Sequence, residues 1–285
     1  LFRDGLFPFF YEISTQSNPQ ISFIFPIFSY IYKFILQGRN LFGLSTSWRT
    51  RKITDGNALL DVIKTTGIKG VEIDYRIQRS NLNTIKSRLQ TSEFDVLSVH
   101  AICPMPDDVS PQHASAELFD ISADDSEEHN LAVNHSIKTL ELAADLEARI
   151  VVFHLGSVKM DAERKPFFKF YDDDKLEEPE YAEYLATKLE ERRQLSDKTF
   201  ERALKGVDKI NEAAFKLGLL VGVENRYFFN QIPFDTEFDI LFNEFAGGQL
   251  RYWHDVGHAE VFHRLKFKDH KKDLLEKYKN QLGGM

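Results

Sequence analysis

The stretch Ile150-Val151-Val152-Phe153-His154-Leu155-Gly156-Ser157 (IVVFHLGS) decides the fold. Its first four residues are apolar without interruption. A strand with one wet face alternates apolar and polar side chains, whereas a strand buried on both faces runs apolar throughout. Ile150 to Phe153 therefore reads as the middle of a parallel sheet, and His154 stands where that strand ends.

Comparable short apolar runs recur on both sides, at Phe42 to Ser47, Gly70 to Tyr75, Val96 to His100, Leu219 to Glu224 and Leu250 to His254. Between them lie segments of helical periodicity at Gly56 to Thr66, Leu82 to Thr91, Glu127 to Ala148, Asp197 to Leu217 and Asp235 to Phe245. Strands alternating with helices predict βα units around a parallel sheet. The third helix is expected to bury Leu131, Ile137, Leu140, Ala144 and Leu146, and Ser126 followed by acids supplies its start signal. The fourth unit is expanded. Its acidic triplet Asp172-Asp173-Asp174 is expected in a solvated loop, followed by a helix from about Glu180 to Arg193. The expected fold is α/β, a TIM-type (β/α) barrel over residues 42–285.

The chain has 285 residues, 42% of them hydrophobic and 28% charged, as a globular domain requires. Its formal charge of −8 weighs against sequence-independent capture of nucleic acid. The single cysteine, Cys103, excludes an internal disulfide framework and a cysteine-built zinc finger, and a cytoplasmic setting is expected. No P-loop, GxGxxG fingerprint or GxSxG elbow is present.

Residues 1–41 differ from the rest, with eight of the 25 phenylalanines and only two acids, Asp4 and Glu12. Ile21 to Leu36 (ISFIFPIFSYIYKFIL) is strongly apolar, but it is short for a membrane span and carries Pro26 and Lys33. Three readings stand: a poorly ordered or artefactual extension, including translated upstream sequence; a segment packed on the domain; or a membrane anchor.

The chemistry gathers at strand ends. His100 closes LSVHA, His154 closes IVVFH, Glu224 closes LVGVE, and Asp255 and His258 follow the sixth strand in YWHDVGHAEV. In a parallel barrel all strand C-termini open on one face, so these residues can converge. Imidazole and carboxylate together suit Zn, Mn, Co or Fe, whereas Mg favours the oxygens. Each residue also has an ordinary structural reading: a strand-end histidine packs or hydrogen-bonds, and Asp255 caps the next helix. Glu224 is harder to explain that way, because a carboxylate ending an apolar strand must be solvated, paired or metal-bound.

From about Phe42 onward the chain resembles the xylose-isomerase-like TIM-barrel superfamily, which includes sugar-phosphate isomerases and epimerases and the endonuclease IV class. The resemblance rests on VHA, VFHLGS, GVENRYFFNQIP and RYWHDVGHAEV. It implies a divalent metal ion (Mn, Zn, Co or Mg) held by Glu224, Asp255 and His258, with His100 and His154 as further ligands if the centre is multinuclear. It implies proton transfer beside a carbonyl through an enediolate-like intermediate, with Glu224 and His258 as catalytic residues. His100, His154, Arg226, Glu72 and Trp48 are then expected around a sugar or sugar phosphate, and Tyr227 beside them as an apolar wall.

The family pattern continues through a seventh and an eighth strand that bring a His and a final Glu. Here the sequence reaches QLGGM where the seventh strand should begin, and FKDHKKDLLEKYKN (267–280) reads as the preceding helix. The expectation is thus a barrel truncated after about six βα units, with edges at its first and sixth strands and an incomplete site. Two other functions remain open: an endonuclease IV-like zinc phosphodiesterase and a non-catalytic sugar-binding barrel.

Overall fold

The chain divides into Leu1–Leu41 and Phe42–Met285. A computed structural model describes residues 42–285 apart from Arg51, Pro111 and Gln112. The readings of residues 1–41 lie outside the described residues.

Seven strands follow one another in space as they do in sequence, all parallel: β1 (Gly43–Ser45), β2 (Gly70–Ile73), β3 (Asp95–His100), β4 (Ile150–Phe153), β5 (Leu220–Glu224), β6 (Leu250–Trp253) and β7 (Leu282–Gly284). The helices between them are α1 (Ser47–Thr50), α2 (Gly56–Thr65), α3 (Arg79–Leu89), α4 (Ser126–Asp145), α5 (Arg164–Asp172), α6 (Pro179–Leu217), α7 (Glu237–Glu244) and α8 (Val256–Arg264), with a π-helical segment at His270–Glu276. This is the α/β architecture of a TIM-type barrel. Among the described residues no ladder joins β7 to β1. No helix among them is long and apolar enough to cross a membrane.

Local chemistry starts and stops these elements. Asp55 accepts from the Ala58 N–H at 2.7 Å and so begins α2. The start of α4 is capped one residue earlier than expected, by Asp125, which accepts from the Glu127 and Glu128 N–H groups at 2.9 Å. Gly218 ends α6 in the left-handed region at φ 69°, where a side chain would be strained. In β4 every residue is buried, with Val151 and Val152 at 0% exposure, as a strand sandwiched between helix layers and barrel interior requires.

Four expectations are corrected. The two helices expected around Glu180 to Leu217 are one, α6, of 39 residues. Ser196-Asp197 carries a helix-start composition, but Ser196 is buried and its hydroxyl donates back to the Arg193 carbonyl at 3.3 Å, so the turn continues. The segment after β4 holds a further helix, α5, whose last residue is Asp172. The expected face of α4 fails only at Leu131, which is exposed: Leu140 and Leu146 are buried, Ile137 and Ala144 pack against the core, and Ala132, Val133, Ser136, Thr139 and Ala143 are buried beside them. Small residues there let α4 pack closely on α6.

The fourth correction concerns the end of the sheet. β6 is not an edge: β7 pairs with it, and the His254 N–H donates to the Gly284 carbonyl at 3.0 Å. A Cβ on Gly284 would lie 2.1 Å from the Trp253 ring, so only glycine passes there.

Two apolar cores result. One lies along the sheet, with Ile63, Val99, Val151, Val223 and Tyr252 among its buried residues. The other is aromatic and joins α5 to the β5–α7 loop: Phe167 packs against Phe228 and Phe229 at ring distances of 5.5 Å. Burial of each such side chain contributes about 1.5–3 kcal/mol, which fixes the inserted helix beside the strand ends.

Candidate functional site

Glu224 is the last residue of β5 and only 3% exposed. Neighbouring strand ends converge on its carboxylate. His154, one residue beyond β4, places Nε2 2.5 Å from Oε2. His100, closing β3, places Nε2 3.7 Å from the same oxygen. His258, in the first turn of α8, brings Nδ1 3.7 Å from Oε1. Arg226 Nη1 donates to Oε2 at 3.2 Å and also meets His154 Nε2.

The charges follow from this packing. Burial alone would make Glu224 harder to ionise, but the adjoining His100 and His154 imidazoles hold its carboxyl well below the usual carboxylate range. Burial opposes a charge on His100 as well, and the adjoining Glu224 carboxylate outweighs it, carrying that pKa up to about 9. His154 goes the other way, down to about 3, through burial and then the Arg226 cation.

His154 meets an acceptor and a donor at one nitrogen, and its Nδ1 is buried without a hydrogen-bond partner. No single protonation state satisfies both contacts at Nε2. His100 is better placed as a ligand, because Nδ1 lies 3.0 Å from the Ala101 carbonyl and leaves Nε2 facing Glu224.

Two groups of metal-capable side chains share Glu224. Ligand atoms of His100, His154 and Glu224 lie within 4.8 Å of one another, and those of Glu224, Asp255 and His258 do likewise. Mixed nitrogen and carboxylate donors with a poorly satisfied imidazole among them fit a divalent transition ion. Asp255 also serves as the cap of α8, accepting from the His258 N–H at 2.7 Å.

The remaining expected residues are placed less uniformly. Glu72, on β2, accepts from Ser98 Oγ at 2.8 Å and adds its field to His100. Arg226 is 3% exposed and ion-paired on both sides, with Glu224 and, at 2.7 Å, with Glu117. The Tyr227 ring stands 5.4 Å from that of His258. Trp48 is 47% exposed in α1 with the Arg49 guanidinium over its ring, and no ring contact or hydrogen bond links it to the cluster.

Solved structures now give the fold a comparison. It is similar to that of 3-keto-D-glucoside 4-epimerase YcjR from E. coli (TM-score 0.55, 14% identity, 81% of this chain and 73% of that one). It is also similar to D-psicose 3-epimerase (0.55, 13%, 85% and 71%) and to a protein from Rhodospirillum rubrum provisionally named a xylose isomerase (0.55, 14%, 83% and 73%). The chain has the TIM-type barrel fold of these structures. No family model matches its sequence, and no curated protein is recognisably similar to it. The likeness is one of architecture, and the strand-end cluster is where chemistry can be placed.

Three contributors were not legible in the sequence. Glu117 comes from the β3–α4 loop and accepts from Arg226 and from Gln231 Nε2 at 2.9 Å; a lone acid in a loop carries no signal of that contact. Asn225, beside Glu224, is fully buried, and accepts from the Asp255 N–H at 2.8 Å while donating to the Asp255 carbonyl at 3.0 Å. It thereby locks the β5 and β6 ends together. Arg164, on α5, donates to the Tyr227 hydroxyl at 2.5 Å.

Proposed function

We propose that the chain is a divalent-metal-dependent sugar or sugar-phosphate isomerase/epimerase. The observation that carries this reading is one buried carboxylate, Glu224, shared by two groups of metal-capable side chains at the strand ends. His100, His154, Glu224, Asp255 and His258 would hold the ion, of which Mn, Zn or Co suits the donors better than Mg. When bound, such an ion polarises carbonyl and hydroxyl oxygens and stabilises the charge left when a proton leaves carbon.

The chain's own residues supply the rest. Glu224 is ionised at neutral pH because its histidine partners outweigh its burial. It is therefore the group that accepts a proton from the carbon beside a carbonyl, giving an enediolate-like species. His258 points Nδ1 at the Asn225 carbonyl, 3.0 Å away, which leaves Nε2 as the nitrogen it would offer to the ion. Arg226 and Glu117 hold the His154 side of the pocket in place. The similar folds named above belong to proteins acting on a 3-keto-glucoside and on D-psicose, which agrees with a sugar substrate.

Deuterium wash-in tests this directly. With Mn(II) and a ketose panel in D2O, exchange at the carbon next to the carbonyl is expected, slowed by about 10²–10⁴-fold in Glu224→Gln. Absence of exchange with every ketose would contradict it. A second reading, zinc-dependent phosphodiester hydrolysis of the endonuclease IV kind, is favoured by the two ligand groups sharing Glu224, an arrangement suited to more than one ion. Cleavage of abasic-site DNA without ketose exchange would select it.

A further inference from the structure

Arg226 is the guanidinium nearest the proposed reacting centre, yet it is poorly placed to receive an anionic substrate. It is buried, and Glu224 and Glu117 already neutralise it. An incoming phosphate would have to displace a carboxylate from a dry site.

Arg164 is placed differently. It is the first residue of α5 and half-buried. Its guanidinium lies 5.1 Å from the Tyr227 ring centroid and 5.0 Å from that of Phe228. One nitrogen, Nη1, donates to the Tyr227 hydroxyl. Among the described residues no carboxylate lies within 4.0 Å of it, whereas its neighbour Glu163 is taken by Lys188. Packing on two rings fixes where the cation points without neutralising it. Tyr227 in turn stands beside His258, so one aromatic ring separates this cation from the proposed reacting centre. The Tyr227 hydroxyl accepts from Arg164 and keeps its own hydrogen to give.

We infer that Arg164 and the Tyr227 hydroxyl form an anion subsite that binds the phosphate monoester of a phosphorylated ketose whose carbonyl end lies over Glu224 and His258. This rests on the sugar reading above and narrows it to the phosphorylated class. Guanidinium and hydroxyl together offer several donors to a tetrahedral dianion, and charge-assisted bonds of this kind are among the stronger ones.

Titrating the Mn(II)-loaded full chain with D-fructose 6-phosphate and with D-fructose measures the preference. The wild type is expected to bind the phosphorylated sugar at least about tenfold more tightly. Arg164→Gln should lose about tenfold of that preference with D-fructose affinity unchanged, and Arg164→Lys should recover part of it. An unchanged preference in Arg164→Gln, or no preference in the wild type, overturns the subsite as the reader of a sugar phosphate. Tighter binding of D-glucuronate than of D-fructose 6-phosphate overturns the choice of phosphate over carboxylate. Inorganic phosphate titrated into metal-stripped protein separates the two levels of inference. If Arg164→Gln weakens phosphate while neither ketose binds the wild type, the subsite stands and the sugar reading falls. If phosphate binding is absent or indifferent to Arg164→Gln, the subsite falls whatever the ketoses do.

Discussion

Replacing Arg192 with methionine is expected to cost up to about 3–4 kcal/mol of stability at pH 7. Arg192 on α6 and Glu237 at the start of α7 are 5% and 6% exposed. Arg192 Nη2 donates to Glu237 Oε2 at 2.8 Å and to the Gln231 carbonyl at 3.3 Å, and Nε donates to the Phe229 carbonyl at 2.5 Å. These bonds pin the loop that carries Arg226, Tyr227 and Gln231. Methionine keeps the volume but strands a buried carboxylate. Burial already raises the Glu237 pKa against the opposing pull of Arg192 and the Phe234 N–H. Without Arg192 the carboxyl takes up a proton in the fold. At pH 7, from an unfolded pKa of about 4.3, that costs about 1.36 kcal/mol per unit, at most about 3.7 kcal/mol, less the part the wild type already bears because its own Glu237 pKa is raised. A raised carboxyl pKa gives stability that is complete below the unfolded value and lost as pH rises through the folded one. The deficit should therefore shrink by about 1.4 kcal/mol for each unit of acidification from pH 7 until the raised wild-type pKa of Glu237 is reached. Urea denaturation at pH 5 and pH 7 measures it, with Arg192→Met/Glu237→Gln expected to recover most of the loss and its pH dependence. An equal deficit at both pH values, or in the double variant, refutes the reasoning.

Three further outcomes are expected. Gly156→Ala should destabilise by more than about 2 kcal/mol in the same denaturation assay, because φ is +94° and the new Cβ would lie 2.2 Å from Asp120 Oδ1 and 2.3 Å from Ser122 Oγ. Asn225→Ala leaves the Asp255 N–H unpaired, while the Asp255 carbonyl keeps the Ala259 N–H at 3.0 Å, and should cost about 1–3 kcal/mol while weakening metal retention, measured by chelator competition. His135 stacks on Phe119 at 4.4 Å, and burial followed by Lys138 lowers its pKa. Its contribution is present above the unfolded value near about 6.5 and lost as pH falls through the folded one, so His135→Phe should flatten the fall in melting temperature on acidification below pH 6.5.

The fold was legible wherever an element's own composition decides it. Ile150 to Phe153 has no polar face to show, and it is buried on both sides. The strand-end residues His100, His154, Glu224, Asp255 and His258 were legible because a parallel sheet sends all its C-termini to one face. β7 was not, since Leu282-Gly283-Gly284 has almost no strand-forming side chain and pairs through close passage over Trp253. α6 was not legible as one helix, because Ser196-Asp197 resembles a start and only burial against the core overrides it. Glu117 and Arg164 come from the β3–α4 loop and the inserted α5, and long-range packing of Phe167, Phe228 and Phe229 decides where α5 sits.

Metal content decides the central claim. Elemental analysis of folded protein equilibrated with Mn(II) or Zn(II) and then dialysed should show at least one ion per chain, lost in Glu224→Ala/Asp255→Ala with the fold retained by circular dichroism. Undiminished metal in the folded double variant, or none in the wild type, would contradict the assignment of Glu224 as the shared ligand.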